Sequence, residues 1–336
     1  MYMVLAILAF SVLIIVHELG HFIMAKVNGV KVEEFAIGFG PRLIGIKIGE
    51  TDYCIRLLPL GGRVAMLGEE EAVNDSRSLT SKSPIRRISI IVAGVVMNYL
   101  LAIIIFTATS MNFGFNLPVV KDIVEDSPAQ EVGLQQGDKF VKINDIKIIS
   151  ADDIAVALAL AKGSDLEVQV KRNNELRQYS ITPKVNEDGT YLIGFYYDKV
   201  ENPALMESIK NSGRQTISMV KQTFLGFKML FSGQANLKTD VGGPITIVRM
   251  SGEAAKAGIW TLLYFTAFIS VNLAVFNLLP FPALDGGWAL FILIEMITGK
   301  KIPDKILNYV NSVALTLLLG IMILVTLKDI LFPVKF

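Results

Sequence analysis

The stretch MVLAILAFSVLIIVHELGHFIMA, Met3 to Ala25, decides how the chain is read. It is nearly continuous Leu, Ile, Val, Phe and Ala, and it has the roughly 20 residues needed to cross about 30 Å of hydrocarbon. No basic residue precedes it, and instead of ending at a small-residue cleavage site it runs on through His17-Glu18-Leu19-Gly20-His21. It therefore reads as a retained membrane helix and not as a signal peptide. Three further apolar runs, Ile88–Phe113, Ile259–Leu279 and Val310–Phe332, bring the expected number of spans to four. Composition agrees: 52% of the 336 residues are hydrophobic and 19% charged, with a mean hydropathy of +0.51, too apolar for an ordinary soluble protein.

The net charge of +1 gives no global field to attract nucleic acid, so none is expected as a partner. The single cysteine, Cys54, excludes an intramolecular disulfide and a cysteine-based metal cluster. Between the first two spans, Gly38-Phe39-Gly40-Pro41 breaks any helix. Leu43–Ile48, a turn at Gly49–Asp52, and Tyr53–Leu58 then read as a β-hairpin that Pro59-Leu60-Gly61-Gly62 ends. The hairpin is strongly apolar, which suggests that it dips into the membrane beside protein; a hairpin resting on the membrane surface is the alternative.

The character changes near Pro118. From there to Val185, short β-like runs, acids, lysines and turn signals at Ser127-Pro128-Ala129, Gly133-Leu134 and Gly137-Asp138 mark a small soluble α+β domain. From Met206 to Phe231, apolar residues recur at helical spacing, with Lys210, Arg214, Lys221 and Lys228 mostly on the other side. A helix lying in the membrane interface fits this pattern, and a helix packed on the soluble domain is the alternative. The segmentation is 1–113, 114–200, 201–257 and 258–336. Basic residues crowd the loop after the first span, ending in Arg86 and Arg87, and Lys300, Lys301 and Lys305 precede the fourth. That bias places these loops in the cytoplasm and the 114–200 domain outside.

The chain has only two histidines, and both lie in one five-residue window. His17 and His21, at i and i+4, share a helix face one turn apart, a separation that two ligands of one tetrahedral Zn²⁺ span. Glu18 can reach a water activated there and act as general base. Such side chains inside an apolar span are expensive, about 2.5–3.5 kcal/mol for a charged one at the helix centre, and mark a functional interior. With no other histidine and no cysteine pair, a third ligand must be a carboxylate. Asp285, in Asn277-Leu278-Leu279-Pro280-Phe281-Pro282-Ala283-Leu284-Asp285-Gly286-Gly287, follows directly on the third span, where prolines unwind the helix and glycines permit close approach. Glu295 and Asp329 rank behind it. The alternative for Asp285 is a cap for a helix beginning at Trp288.

His17-Glu18-Leu19-Gly20-His21 together with Asn277–Gly287 resembles the site-2 protease family, in its regulator-of-sigma-E protease branch, and the resemblance spans essentially the whole chain. Gly38–Pro41, Pro59–Gly62 and the PDZ-like pattern at Ser127–Asp138 are similar to that branch as well. The resemblance implies a polytopic α-helical membrane protein of four transmembrane helices, with a membrane-associated β-hairpin and one inserted PDZ-like domain, where the family often has two. It implies a zinc metalloendopeptidase of the bacterial cytoplasmic membrane, with zinc held by His17, His21 and Asp285 and Glu18 as base. Asn272 and Asn277 would help hold substrate, with interhelical hydrogen bonding as the alternative. Asn98, in the second span, is read as a packing residue.

The implied substrates are single-span membrane proteins already trimmed by another protease, such as anti-sigma-factor-like regulators, or remnant signal peptides. A helical substrate must unwind before attack, and the hairpin offers an edge, at Ile55 and Leu57, onto which it could add as a strand. The PDZ-like domain reads as a size filter or as a peptide binder. Two other classes fit less well. A silent membrane adaptor has no need of Glu18 between two histidines, and a zinc or proton transporter should show inverted repeats.

Overall fold

The computed structural model describes residues 2–69, 73–236, 238 and 241–333. In chain order it contains α1 (Tyr2–Val27), β1 (Val32–Ile48), β2 (Thr51–Met66) and α2 (Pro84–Phe113). These are followed by β3 (Phe115–Ile123), α3 (Pro128–Glu131), β4 (Lys139–Ile143), β5 (Ile146–Lys147), α4 (Asp152–Ala161), β6 (Leu166–Arg172), β7 (Glu175–Ile181), β8 (Lys184–Val185), β9 (Tyr191–Leu192) and β10 (Phe195–Val200). Helices α5 (Leu205–Phe231), α6 (Pro244–Ala257), α7 (Ile259–Leu278), α8 (Asp285–Thr298) and α9 (Asp304–Leu331) complete the order. Among the described residues, four helices are long and apolar enough to cross a membrane: α1, α2, α7 and α9. The chain divides into two compact units, residues 1–102 with 228–336, and residues 103–227.

In the first unit, α1 and α2 meet at backbone contact. A Cβ on Gly20 would lie 2.4 Å from the Ala93 carbonyl oxygen, so only glycine permits this approach. Small residues at such a crossing let two membrane helices touch where larger ones would hold them apart. Ala25, Val30, Val32, Val64 and Ile90 form a buried cluster that seats the sheet against the two helices.

The sheet is more elaborate than the hairpin expected from sequence. Arg42 to Ile48 pair antiparallel with Thr51 to Arg56 around the Gly49 turn, as expected, but β2 continues through Pro59–Gly62 to Met66. Gly62–Met66 return to pair with Val32–Ile37, while Glu34–Ile37 also align with Asp52–Ile55, partner numbers rising together. Ile55 is thus flanked by Ile44 on one side and Ile37 on the other. The edges are Arg42–Ile48 and Gly62–Met66. The corner between the halves of β1 uses Gly38 and Gly40 at φ +92° and +89°. Arg56 clamps it, donating to both Glu34 carboxylate oxygens, at 2.6 and 2.8 Å, and to the Gly40 carbonyl at 2.8 Å. Leu43, Ile44, Ile46 and Ile48 are all exposed.

The second unit carries a six-stranded sheet in the order β10-β3-β4-β6-β7, with β5 on β4. Leu166, Val168 and Val170 alternate inward from β6 and join Phe140, Ile143, Ile154 and Ile181 in the core. α5 shows an inverted amphipathicity. Ser208, Ser212, Thr216 and Ser218 are buried while Ile209, Ile217 and Phe224 face outward. Its hydroxyl face meets α2 through Thr107 to Ser212 (3.1 Å), and meets α4 through Ser218 and Gln222, which donate to the buried Asp153. Packing on the domain and an outward apolar face, set as alternatives by the sequence, coexist in this helix.

Asp138 is fully buried and receives the Arg172 guanidinium at both oxygens, each at 2.6 Å. Removing one partner of such a pair strands a buried charge at about 3–5 kcal/mol. Arg172→Met should therefore speed amide hydrogen exchange in β4 and β6 by about a hundredfold or more, since each 1.4 kcal/mol is a factor of ten.

Candidate metal and active site

α1 presents His17 and His21 one turn apart on its buried face, and α8 brings Asp285 against them. The Nε2 atoms of the two histidines lie 3.1 Å apart, and Asp285 Oδ2 lies 3.1 Å from His17 Nε2 and 3.5 Å from His21 Nε2. These separations match the edges of a tetrahedron with bonds of about 2.0–2.2 Å. His21 Nδ1–H donates to the Ile90 carbonyl at 2.9 Å, which leaves the Nε2 lone pair pointing at the shared centre.

His17 is oriented in the same way from behind. The Asn98 amide, fully buried, lies 3.3 Å from His17 Nδ1. An amide's oxygen and nitrogen are interchangeable in shape. With the oxygen turned to the ring, Nδ1–H donates to Asn98, the buried Oδ1 gains its partner, and Nε2 is free to ligate. Three lone-pair groups then converge, and Asp285 Oδ2 is itself buried without a hydrogen-bond donor. A cation at the centre makes that convergence favourable, so the donor set fits Zn²⁺.

Close packing holds the arrangement. A Cβ on Gly94 would fall 2.5 Å from His21 Nε2 and 2.7 Å from His17 Cε1. On the opposite side, a Cβ on Gly286 or Gly287 would lie 2.2 and 2.3 Å from the Leu279 and Phe281 carbonyl oxygens, so Pro280–Leu284 folds directly over the start of α8. α8 begins at Asp285 itself with Leu284 in the capping position and no side-chain cap, which removes the alternative of Asp285 capping a helix from Trp288. The rival acids are engaged elsewhere: Glu295 pairs with Arg87, and Asp329 accepts from the Gly243 and Thr246 backbone N–H groups.

Glu18 borders two cavities that meet at the metal point. One, of about 510 Å³, has walls of Ala6, Ile7, Phe10, Ile14, Val248 and Leu273. The other, of about 1170 Å³, includes Arg63, Glu69, Asn74, Arg87, Glu295 and Lys301. Gly62 lies against Glu18, a Cβ there falling 2.8 Å from Glu18 Cγ. Asn277 places its Nδ2 3.4 Å from His17 Nε2, beside the metal point. Asn272 donates to the Phe268 carbonyl of its own helix at 2.8 Å and does not line either cavity. Ile55 lies inside the sheet, so the sheet edge near Glu18 is Gly62–Met66, whose Met66 N–H donates to Glu69, and the proposed edge at Ile55 and Leu57 is corrected accordingly. Sequence reasoning missed Gly94 and the orienting contact of Asn98; an asparagine and a glycine four residues apart in an otherwise apolar span were the available signal.

The model of peptidase family M50 matches residues 5–321. A candidate zinc metalloprotease of Clostridium perfringens is 55% identical over 99% of this chain and 100% of its own length. The regulator of sigma-W protease of Bacillus subtilis is 30% identical over 96% of this chain and 97% of its own. The PDZ domain of an SdrC-like protein of Listeria monocytogenes is 21% identical and covers 25% of this chain and 88% of that one, with a TM-score of 0.23. Because the match runs from α1 into α9 and includes the three converging side chains that could hold a metal, the chain belongs to peptidase family M50, the zinc metalloproteases, as a multi-pass membrane protein of the bacterial type.

Proposed function

We propose that this protease hydrolyses peptide bonds in or near the transmembrane segments of single-span membrane proteins. The observation that carries the reading is the apolar cavity: its walls on α1, α6 and α7 lead to Glu18 and Asp285 without a charged side chain on the way. An apolar polypeptide could enter there from among the helices, whereas a hydrated one would have to shed its water. The larger cavity on the other side of Glu18, with Arg63, Glu69, Arg87, Glu295 and Lys301 in its lining, has room for a hydrophilic flank. The Bacillus subtilis relative's name, regulator of sigma-W protease, supports a regulatory substrate class. The excess of basic residues in the loops before α2 and α9 supports a catalytic end of α1 toward the cytoplasm and residues 114–200 outside.

His17, His21 and Asp285 would hold the zinc, which supplies Lewis-acid activation of water and of the scissile carbonyl at neutral pH. Glu18 takes a proton from the attacking water and returns it to the leaving amine. Asn277, beside His17 Nε2, is placed to donate to the carbonyl oxygen as charge develops on it. The substrate must reach this point extended. The Gly62–Met66 edge lies next to Glu18 and pairs with Val32–Ile37 on its inner side; a strand could add on its outer side once the Met66 N–H leaves the Glu69 carboxylate, to which it donates at 3.1 Å.

Glu18→Gln should keep zinc in the purified protein while cleavage falls by about 10²–10⁴-fold; undiminished cleavage would remove Glu18 from the mechanism. Gly94→Ala, in contrast, should lose zinc and activity together, read by metal analysis of the folded protein, because the added methyl displaces both imidazoles. For the edge strand, single cysteines at Met66 and Ile46 in a Cys54→Ser background are tested for disulfide formation with a cysteine near the scissile bond of a trapped substrate. Crosslinking through Met66 and not Ile46 is expected, and the reverse pattern would place the substrate on the other edge.

A further inference from the structure

The Pro280–Leu284 loop must present Asp285 to a metal point on another helix while satisfying its own backbone at bilayer depth. Pro280 and Pro282 have no N–H to satisfy. Phe281 N–H donates to the Leu279 carbonyl at 2.7 Å and Leu284 N–H to the Phe281 carbonyl at 3.1 Å, both within the loop. Ala283 N–H instead donates to Asn311 Oδ1, at 3.1 Å, on α9. Ala283 also has φ +71°, a left-handed conformation that costs an L-residue roughly 1–2 kcal/mol. A strained residue two positions before a metal ligand persists only where its surroundings hold it.

We propose that Asn311 is a positioning residue for the third zinc ligand: by accepting the Ala283 N–H it holds the loop in its left-handed turn and so aims Asp285 at His17 and His21. α9 makes the assignment pointed. Most of its side chains, among them Val313, Leu315, Leu317 and Leu319, are exposed, so the Asn311 contact is not a by-product of dense packing around it. An asparagine in an apolar span is costly without a partner, and a backbone N–H with no acceptor is costly there too; each settles the other. Without the acceptor, Ala283 would relax toward negative φ, and the chain after it would carry the Asp285 carboxylate away from the two Nε2 atoms.

The test uses the purified full chain with zinc retention against graded chelator as its first readout and kinetics as its second. Asn311→Leu should weaken zinc retention by about tenfold to a hundredfold, the range for outer contacts of metal ligands. It should also lower kcat with little change in KM. Asn311→Gln, which keeps a neutral amide oxygen as acceptor, should retain zinc better than Asn311→Leu on the same scale. Ala283→Gly adopts the positive φ without strain, and combined with Asn311→Leu it should recover a large part of the lost retention. Should Asn311→Leu fail to fold, Asn311→Ala with and without Ala283→Gly gives the same comparison. Zinc retention unchanged in the Leu or Ala variant, or no recovery on adding Ala283→Gly, would overturn the proposal.

Discussion

Everything in the first unit follows from bringing three lone-pair groups to one point inside an apolar bundle. Two imidazoles and a carboxylate at about 3 Å repel one another unless a cation sits among them, and each must be turned to the centre by something behind it. His21 is turned by the Ile90 carbonyl and His17 by Asn98, both on α2. α2 reaches that close because Gly20 and Gly94 leave no side chain between it and α1. The metal chemistry of α1 is therefore set as much by the missing atoms of α2 as by its own residues.

The same unit twice pairs up irregular backbone, whose unpaired N–H and C=O groups cost several kcal/mol wherever water is excluded. In the sheet, β1 is paired on both sides through Glu34–Ile37, and Arg56 takes up the Gly40 carbonyl at the corner. Over α8, prolines remove two donors outright, two more close inside the loop, and Asn311 answers the last. Of the sheet's two edges, Gly62–Met66 is the one that lies beside Glu18.

The spans and the triad were legible because their signals are local or compositional. Apolar length gives α1, α2, α7 and α9, an i, i+4 pair puts two histidines on one face, and a shortage of other donors singles out Asp285. What escaped depends on partners far along the chain. Nothing near Ile55 says that it lies between Ile44 and Ile37, and nothing near Pro59–Gly62 says that the strand continues, because both depend on which distant strand returns alongside. Asn98 reads as a packing amide until His17 is placed 3.3 Å away, and Asn311 is one more polar residue at the start of a span until Ala283 meets it. Asn272, equally visible in the sequence, turns out to bond its own helix.

The acids near the membrane helices separate by what each oxygen can find. Glu295 sits against a guanidinium, and the pair ties α8 to the start of α2. Asp329 is almost fully buried on α9 but accepts two backbone N–H groups, from Gly243 at 3.1 Å and Thr246 at 2.9 Å, and so supplies from another helix the cap that α6 lacks at its own start. That cap fixes the end of α6, from which Pro244 and Val248 face the apolar cavity. Asp285 Oδ2 alone among these carboxylates is buried with neither cation nor N–H as a hydrogen-bond partner, and it is the one facing two imidazole lone pairs. An acid whose oxygens the fold has already satisfied is not free to ligate, whereas Asp285, set against two imidazole nitrogens, stands where it could hold a metal.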